Sequence, residues 1–371
     1  GDDRARVSRF VTELGAEVRA PSGLRVRQQT LDALVGELRR TAVDPGCGGA
    51  LRQAAVGELR ELASVRDERG AALVPSARPE QWWGLSSPHE PVPASGPARL
   101  SVTGLERIVR CPRCWFLDSR AGGAEPAGAG ASVGSLVHLI AEQGVNAGLD
   151  AAAMHAAVDD FWPRLVFEID WRGEQERVET HEMVTRLDRW RSAERGREVL
   201  GVEIPIEYEL DLGEDQLLLS GTIDRLERET TSGRLWIVDF KTGRRAPSRK
   251  EAMMNVQLAC YQLAVGDGAC AQLTGGHPDV GGAELVQLRN RESAGRPEMP
   301  KVLTQASLRD HPRPPEGTPG PSGVGPTWLH DLARQALGWI RSGQYPAMKN
   351  SGCGFCPHRA DCPVWAPGGG R

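Results

Sequence analysis

Gly221-Thr222-Ile223-Asp224-Arg225 is followed, fifteen residues after its aspartate, by Asp239-Phe240-Lys241. Around these motifs, Val202–Leu210, Gln216–Glu227 and Leu235–Phe240 read as three successive strands, the last a compact apolar run reaching Asp239. Two carboxylates near the ends of adjacent strands, with a lysine two residues beyond the second, can hold one divalent cation beside a phosphodiester. Mg²⁺ prefers hard oxygen ligands and keeps several waters, so two carboxylates and a backbone carbonyl suffice. Such a metal makes a bound water more acidic and offsets charge developing on phosphorus. Side chains alternate along a strand, so Asp239 and Lys241 share a face and Phe240 takes the other. From that face Lys241 can orient or deprotonate the attacking water, and both residues are expected at a solvent-reaching strand end.

An isolated D-x-K triplet is common and usually reads as a surface acid with a salt-bridged lysine. Here it ends an apolar strand, and a second strand supplies Asp224. The cation is also a lysine in a chain where only four of 45 basic residues are lysine: Lys241, Lys250, Lys301 and Lys349. A guanidinium is a poor proton acceptor, whereas a lysine pKa can shift. Downstream, a helix over about 250–265 puts Gln257 and Tyr261 on one face, four residues apart. Upstream, Gly134-Ser135-Leu136-Val137-His138 sets an imidazole in an apolar turn, which by itself reads as a core histidine. Glu203, on the preceding strand, could be a further acid of the site but reads more readily as a solvated strand residue. Lys241, Arg244, Arg245, Arg249 and Lys250 read equally as a phosphate-contacting edge or a solvated loop.

Working outward, residues 1–66 read as helical, with Leu31, Leu34, Val35 and Leu38, then Val56, Leu59 and Leu62, at helical spacing. A Pro-rich linker spans 75–99, with Trp82-Trp83 packing on a neighbouring surface, and a domain boundary falls near residue 97. A helix capped by Thr103 and Glu106 runs into Cys111-Pro112. An Ala/Gly loop spans 121–131, a helix starts near Ser132, and a longer helical region covers about 150–195. After the strands come the 250–265 helix, a strand at Ala283–Leu288, a Pro/Gly-rich insertion over 291–326 and a final helix at about 327–342. This order gives an α/β core.

The 371 residues, 40% hydrophobic and 25% charged, describe a globular chain. A net charge of −4 excludes a global basic field, so any nucleic-acid contact is local. No run approaches 18 apolar residues, and the opening lacks a signal-peptide pattern and an initiator Met. A cytoplasmic protein is expected, possessing the sequence character of the C-terminal part of a longer polypeptide. In that compartment clustered cysteines hold a metal or a cluster rather than disulfides. Cys353, Cys356 and Cys362 are spaced C-x₂-C-x₅-C. Three thiolates need a fourth for tetrahedral Zn²⁺ or for a [4Fe–4S] cluster, and both Cys111 and Cys114 are available. Cys47, Cys260 and Cys270 read as ordinary thiols.

These motifs, in this order over residues 101–366, resemble the RecB-like branch of the PD-(D/E)XK nuclease superfamily. The resemblance implies a restriction-endonuclease-like core, a central mixed sheet flanked by helices, behind a helical N-terminal region. It implies that His138, Asp224, Asp239 and the Phe240 carbonyl ligate Mg²⁺ or Mn²⁺. Lys241 is then the catalytic lysine, with Gln257 and Tyr261 positioning DNA or the site. AddB-type subunits and CRISPR adaptation nucleases of this branch bind a [4Fe–4S] cluster with one cysteine before the core and C-x₂-C-x₅-C after it. Their early cysteine precedes a proline and an aromatic, as Cys111-Pro112 and Trp115-Phe116 do here. The implied ligands are therefore Cys111, Cys353, Cys356 and Cys362. Trp82-Trp83-Gly84, Trp115-Phe116-Leu117 and Gly134–His138 are similar to the C-terminal nuclease region of actinobacterial AdnAB-type helicase–nucleases. That similarity implies exonuclease-type DNA hydrolysis in double-strand break processing. The chain has no G-x-x-x-x-G-K-[ST] phosphate loop, so a helicase module or partner subunit would supply the motor. Residues 1–96 would be the tail of a helicase region and its linker, and 97–371 the nuclease domain. The rival readings are a noncatalytic DNA-binding scaffold retaining the cluster and a zinc-stabilised interaction module.

Overall fold

The computed structural model describes residues 30–67, 70, 72–82, 98–123, 129–165, 167, 170–276, 279–293, 295–314, 325–359 and 362–364. The chain divides into two compact units, Gly1–Val92 and Pro93–Arg371.

In the first unit, helix α1 (Leu31–Val43) begins where the Thr30 side chain accepts a hydrogen bond from the Ala33 N–H, and α2 (Gly49–Ser64) follows. Val35, Leu59, Val74 and Ala77 make its small core, with Trp82 packed beside them under the Arg39 guanidinium, 5.3 Å from the ring centre. Leu31, Leu34 and Val56 are exposed, so part of the expected apolar stripe stays uncovered among the described residues. Residues 1–29 and Trp83 lie outside them.

The second unit is a six-stranded mixed sheet with helices on both faces. Its strands are β1 (Ala98–Ser101), β2 (Arg197–Asp211), β3 (Gln216–Glu229), β4 (Leu235–Lys241), β5 (Val280–Ser293) and β6 (Arg296–Ala306). The order along the sheet is β1-β3-β4-β5-β6, and β2 runs antiparallel along the other edge of β3. The β2–β3 hairpin turns at Gly213, whose φ of 94° favours a residue without a Cβ. One face packs against α3 (Val102–Arg110), α9 (Val256–Gly266) and α11 (Trp328–Ser342) through residues such as Leu105, Leu258, Leu285 and Leu337. The other face packs Val238, Phe240, Val286 and Leu288 against α5 (Ala129–Asn146), α6 (Ala151–Phe161) and α7 (Asp170–Ser192).

Several expected boundaries move. Ser101, not Thr103, caps α3 by accepting from the Gly104 N–H, because β1 runs directly into the helix. Helix α4 (Pro112–Ser119) follows α3, the short α10 (Ala271–Thr274) follows α9, and α5 starts at Ala129, inside the expected loop. The 150–195 helical region breaks at Trp162-Pro163-Arg164, where proline cannot continue the ladder. The 250–265 helix is two pieces, α8 (Arg249–Met253) and α9, because the Asn255 side chain caps the second by accepting from the Leu258 N–H. Residues 291–326 are not wholly an insertion, since they contain β6, an antiparallel partner of β5. Strand β1 is too short to carry a periodic signal.

Candidate functional site

The quoted motifs meet where the sheet forks. Strand β3 pairs with β4 only through Arg225–Arg228 and Leu235–Val238. On that same edge its earlier residues Leu217–Ser220 pair with β1 instead. Beyond Val238 the strands therefore part, and Asp224, Asp239 and Lys241 stand at the gap. The Asp224 Oδ2 bridges it by accepting the Phe240 N–H at 2.7 Å. His138 reaches the gap from α5, its Nδ1 3.4 Å from Asp224 and 3.8 Å from Glu203. Asp239 and Lys241 share a face as expected, with Nζ 2.8 Å from Oδ2.

Glu203 belongs to this group, contrary to its reading as a solvated residue. Val202 pairs with Arg225 and Ile204 with Ile223, which sets Glu203 opposite Asp224. Its φ of 47° makes it the lone non-glycine in the left-handed region among the described residues. His138, Glu203 and Asp224 each offer a ligand atom within 4.8 Å of the others. The signal was present in the chain: counting back from the hairpin turn at Gly213 pairs 203 with 224.

Asp239 also departs from expectation, being 1% exposed rather than at a solvent-reaching end. Burial pushes its carboxyl up to about 6, against the pull of the Lys241 ammonium. Its Oδ2 is buried and accepts no hydrogen bond with good geometry among the described residues, having only the ion pair. An under-satisfied buried carboxylate oxygen beside two more acids and an imidazole fits a divalent cation, whose preferred ligands these are. Burial lowers the His138 pKa, but Asp224 and Glu203 outweigh it and raise the ring to about 10. Lys241 is likewise lowered by burial, yet Asp239 more than compensates, so it stands above its ordinary value.

Gln257 and Tyr261 extend the site as one chain of contacts. Lys241 Nζ donates to Gln257 Oε1 at 2.7 Å, and Gln257 Nε2 donates to the Tyr261 hydroxyl at 3.3 Å. Tyr261 lies over Gly221, where a Cβ would come within 3.1 Å of the ring and of Val102. The turn after Lys241 is held from β5 and α7. Arg289 Nε donates to the Thr242 carbonyl at 2.8 Å while its other nitrogens pair with Glu176 and Glu179. Arg244 pairs with the same two glutamates. Of the basic run, Arg244 is thus engaged and Arg245 is 3.7 Å from Glu251, while Arg249 and Lys250 are exposed, with no ion pair among the described residues.

A second cluster lies apart from the fork. Cys111, Cys114, Cys353, Cys356 and Cys362 line one cavity of about 220 Å³. The Met348 N–H donates to Cys111 Sγ at 3.5 Å and the Asn350 N–H to Cys353 Sγ at 3.2 Å, bonds of the kind that favour thiolate ligands. Cys114, left out of the implied ligand set, has its Sγ 3.3 Å from that of Cys356, and burial raises its pKa. The donor set suits zinc or an iron–sulfur cluster. The walls are also joined without metal. Phe116 stacks on Tyr345 with centroids 4.6 Å apart, and His358 Nε2 lies 2.6 Å from Asp118.

Residues 99–363 match the protein-family model described as the PD-(D/E)XK nuclease superfamily. A search of curated proteins returned no relative. A solved structure titled "Crystal structure of SSO0001" is similar at 14% identity and a TM-score of 0.31, covering 73% of this chain and 88% of that one. So slight a likeness adds nothing on function.

Proposed function

Because the chain belongs to the PD-(D/E)XK nuclease superfamily, we propose that it is a metal-dependent deoxyribonuclease of the RecB-like branch. The convergence of His138, Glu203, Asp224, Asp239 and Lys241 at the fork between β3 and β4 carries this reading. His138, Asp224, Asp239 and the Phe240 carbonyl would hold Mg²⁺ or Mn²⁺, with Glu203 as a further ligand. The bound ion would supply an acidified water and offset phosphoryl charge. Lys241 is held as a cation between Asp239 and Gln257, placed to orient the water and neutralise the phosphate. Gln257 and Tyr261 fix the lysine rather than react.

The same reading assigns Cys111, Cys353, Cys356 and Cys362 to a structural [4Fe–4S] cluster. It makes the chain a cytoplasmic exonuclease acting on single-stranded or unwound DNA in double-strand break repair, beside a helicase module or partner subunit. No helix among the described residues is long and apolar enough to cross a membrane. The division into residues 1–96 and 97–371 belongs to this proposal. The test is anaerobic purification followed by digestion of labelled single-stranded DNA with and without Mg²⁺ or Mn²⁺. Metal-dependent cleavage that vanishes in Asp239→Ala and Lys241→Ala is expected. Wild-type rates in either clean, folded variant would refute the site.

A further inference from the structure

Beyond the fork, the site face of the sheet continues across two more strands. Registered partners on neighbouring strands share a face. Asp239 pairs with Leu285 and Leu285 with Leu303, a row whose two leucines belong to the main core. One step toward the open end, Lys241 pairs with Gln287 and Gln287 with Lys301. The apolar row thus gives way to a lysine, an amide and a second lysine at the catalytic edge.

Two features of this row lack a structural explanation. Gln287 is 2% exposed, and its buried Oε1 accepts no hydrogen bond among the described residues. Burying an amide oxygen without a donor is costly unless a ligand or its water supplies one. Lys301 is half-buried and carries no ion pair among the described residues, whereas Arg289 and Arg291 on the adjoining strand β5 are matched, the first to Glu176 and Glu179 and the second to Glu182. It is also one of four lysines in an arginine-rich chain. Immediately after Gln287 the β5–β6 register is interrupted, Gln287 facing Lys301 while Arg291 faces Pro300. Bulges of this kind recur beside active sites, where they end pairing and open the strand edge.

We propose that Gln287 and Lys301 form a subsite for the DNA phosphate next to the scissile one. This inference rests on the nuclease reading of the fork. Two strand spacings of ~4.8 Å put the Lys241 and Lys301 Cα atoms about 10 Å apart, so the two ammonium groups can engage successive phosphates of one strand. Lys301 contacts the neighbouring phosphate. Gln287 accepts one hydrogen from a water that gives its other to a phosphate oxygen. The strand then crosses β4, β5 and β6 at their open ends.

The test uses the full chain carrying Asp239→Asn, so that oligodeoxythymidine binds without being cut, with affinity measured by fluorescence anisotropy across a salt series. Adding Lys301→Gln should weaken binding about 5- to 10-fold and lower the salt slope by about 0.7, the value for one lost single-strand phosphate contact. Lys301→Arg should retain both. Replacing single phosphates by neutral methylphosphonates should reveal one position next to the cleavage site that weakens the parent but not Lys301→Gln. Gln287→Leu, otherwise wild type, should slow cleavage while its melting temperature stays level or rises, because the unpaired oxygen is gone. An unchanged slope and methylphosphonate profile in a folded Lys301→Gln protein would overturn the subsite. A Gln287→Leu protein that melts lower and cuts normally would overturn the role of the amide. If the wild-type chain cuts no DNA yet the binding differences appear, the nuclease reading falls and the phosphate row stands. If the parent binds no DNA, the row falls too.

Discussion

Replacing Gly221 by alanine adds one methyl group three contacts away from Lys241, the proposed catalytic lysine, through Tyr261 and Gln257. The new Cβ would lie 3.1 Å from Tyr261 Cε1, 3.1 Å from Val102 Cγ2 and 3.2 Å from the Tyr261 hydroxyl. Those approaches are tighter than ordinary van der Waals contact. The neighbours have little room to yield, with Val102 1% and Tyr261 2% exposed. Overpacking of this kind costs about 1–3 kcal/mol. In a domain of this size that corresponds to a fall in Tm of roughly 2–6 °C. The larger effect should be on turnover. Tyr261 holds Gln257 at 3.3 Å and Gln257 holds Lys241 at 2.7 Å, so a displaced ring releases the lysine. A ~1 Å misplacement of a reacting group can cost on the order of 10²-fold in rate. Tyr261→Phe is the control, removing the hydroxyl without adding bulk, and should lose less of both. The assay pairs thermal melts with single-turnover digestion of single-stranded DNA at saturating Mn²⁺. A Gly221→Ala protein with wild-type Tm and rate would refute the claim that close approach, rather than backbone conformation, fixes this glycine.

Glu203→Gly should relieve left-handed strain worth about 1 kcal/mol, raising the Tm of metal-free protein, while raising the Mn²⁺ concentration for half-maximal cleavage at least ~10-fold; an unchanged metal titration would remove Glu203 from the site. His155 and His181 place their Nδ1 atoms 2.8 Å apart, so one ring must be neutral, and burial followed by His181 lowers the His155 pKa. The unfolded chain then binds more protons, so this contribution is intact above about pH 6.5 and is lost as pH falls from there toward the lower folded value. His155→Asn should flatten the acid side of a Tm-against-pH curve, and a parallel curve would sink the idea. Iron analysis separates the thiols: Cys356→Ala and Cys111→Ala should lose iron and colour, whereas Cys114→Ala should keep them. The reverse pattern for Cys111 and Cys114 would transfer the fourth ligand to Cys114.

The strand that ends on Asp239-Phe240-Lys241 was legible because its signals are local. Asp239 ends an apolar run, Lys241 lies two residues on, and alternation alone puts them on one face, as the 2.8 Å pair shows. Gln257 and Tyr261 were legible for the helical counterpart of the same reason, four residues on one helix face. Glu203 reads more readily as solvated than as a site acid because nothing beside it in the chain distinguishes it from Glu207 or Glu209. Its role comes from pairing with Asp224 across a hairpin, and only the register carries that information. Likewise β6 was hidden in a Pro/Gly-rich stretch because its stability comes from β5 rather than from its own composition. The burial of Asp239 was also invisible, since its strand partner Leu285 and the helix whose Gln257 meets Lys241 come from later parts of the chain.

The cysteine cavity and the fork are less separate than their sequence positions suggest. Cys111 and Cys353 stand 242 residues apart. A crosslink closing a loop of that length would stabilise the fold by roughly 5 kcal/mol, an upper figure that native strain reduces. Yet the segments it would join are already held by the Phe116–Tyr345 stack, the His358–Asp118 contact and the Arg113 N–H donating to the Pro346 carbonyl at 3.2 Å. A ligand in the cavity therefore acts on walls that already meet, and what it adds is the order of the loop between Met348 and Cys356. That loop touches the turn after Lys241: an Arg245 guanidinium nitrogen lies 3.5 Å from the Ser351 carbonyl, and Arg245 faces Glu251 at the N-terminus of α8. Helix α8 in turn leads to Asn255, which caps the helix bearing Gln257. Through those contacts, disorder in the cysteine loop would loosen the support of Lys241, although no cysteine belongs to the His138–Glu203–Asp224 group among the described residues. On the proposed reading, removing the cluster should therefore lower activity as a positional effect, with the rate falling while the Mn²⁺ affinity of the proposed ligands His138, Glu203, Asp224, Asp239 and the Phe240 carbonyl is retained.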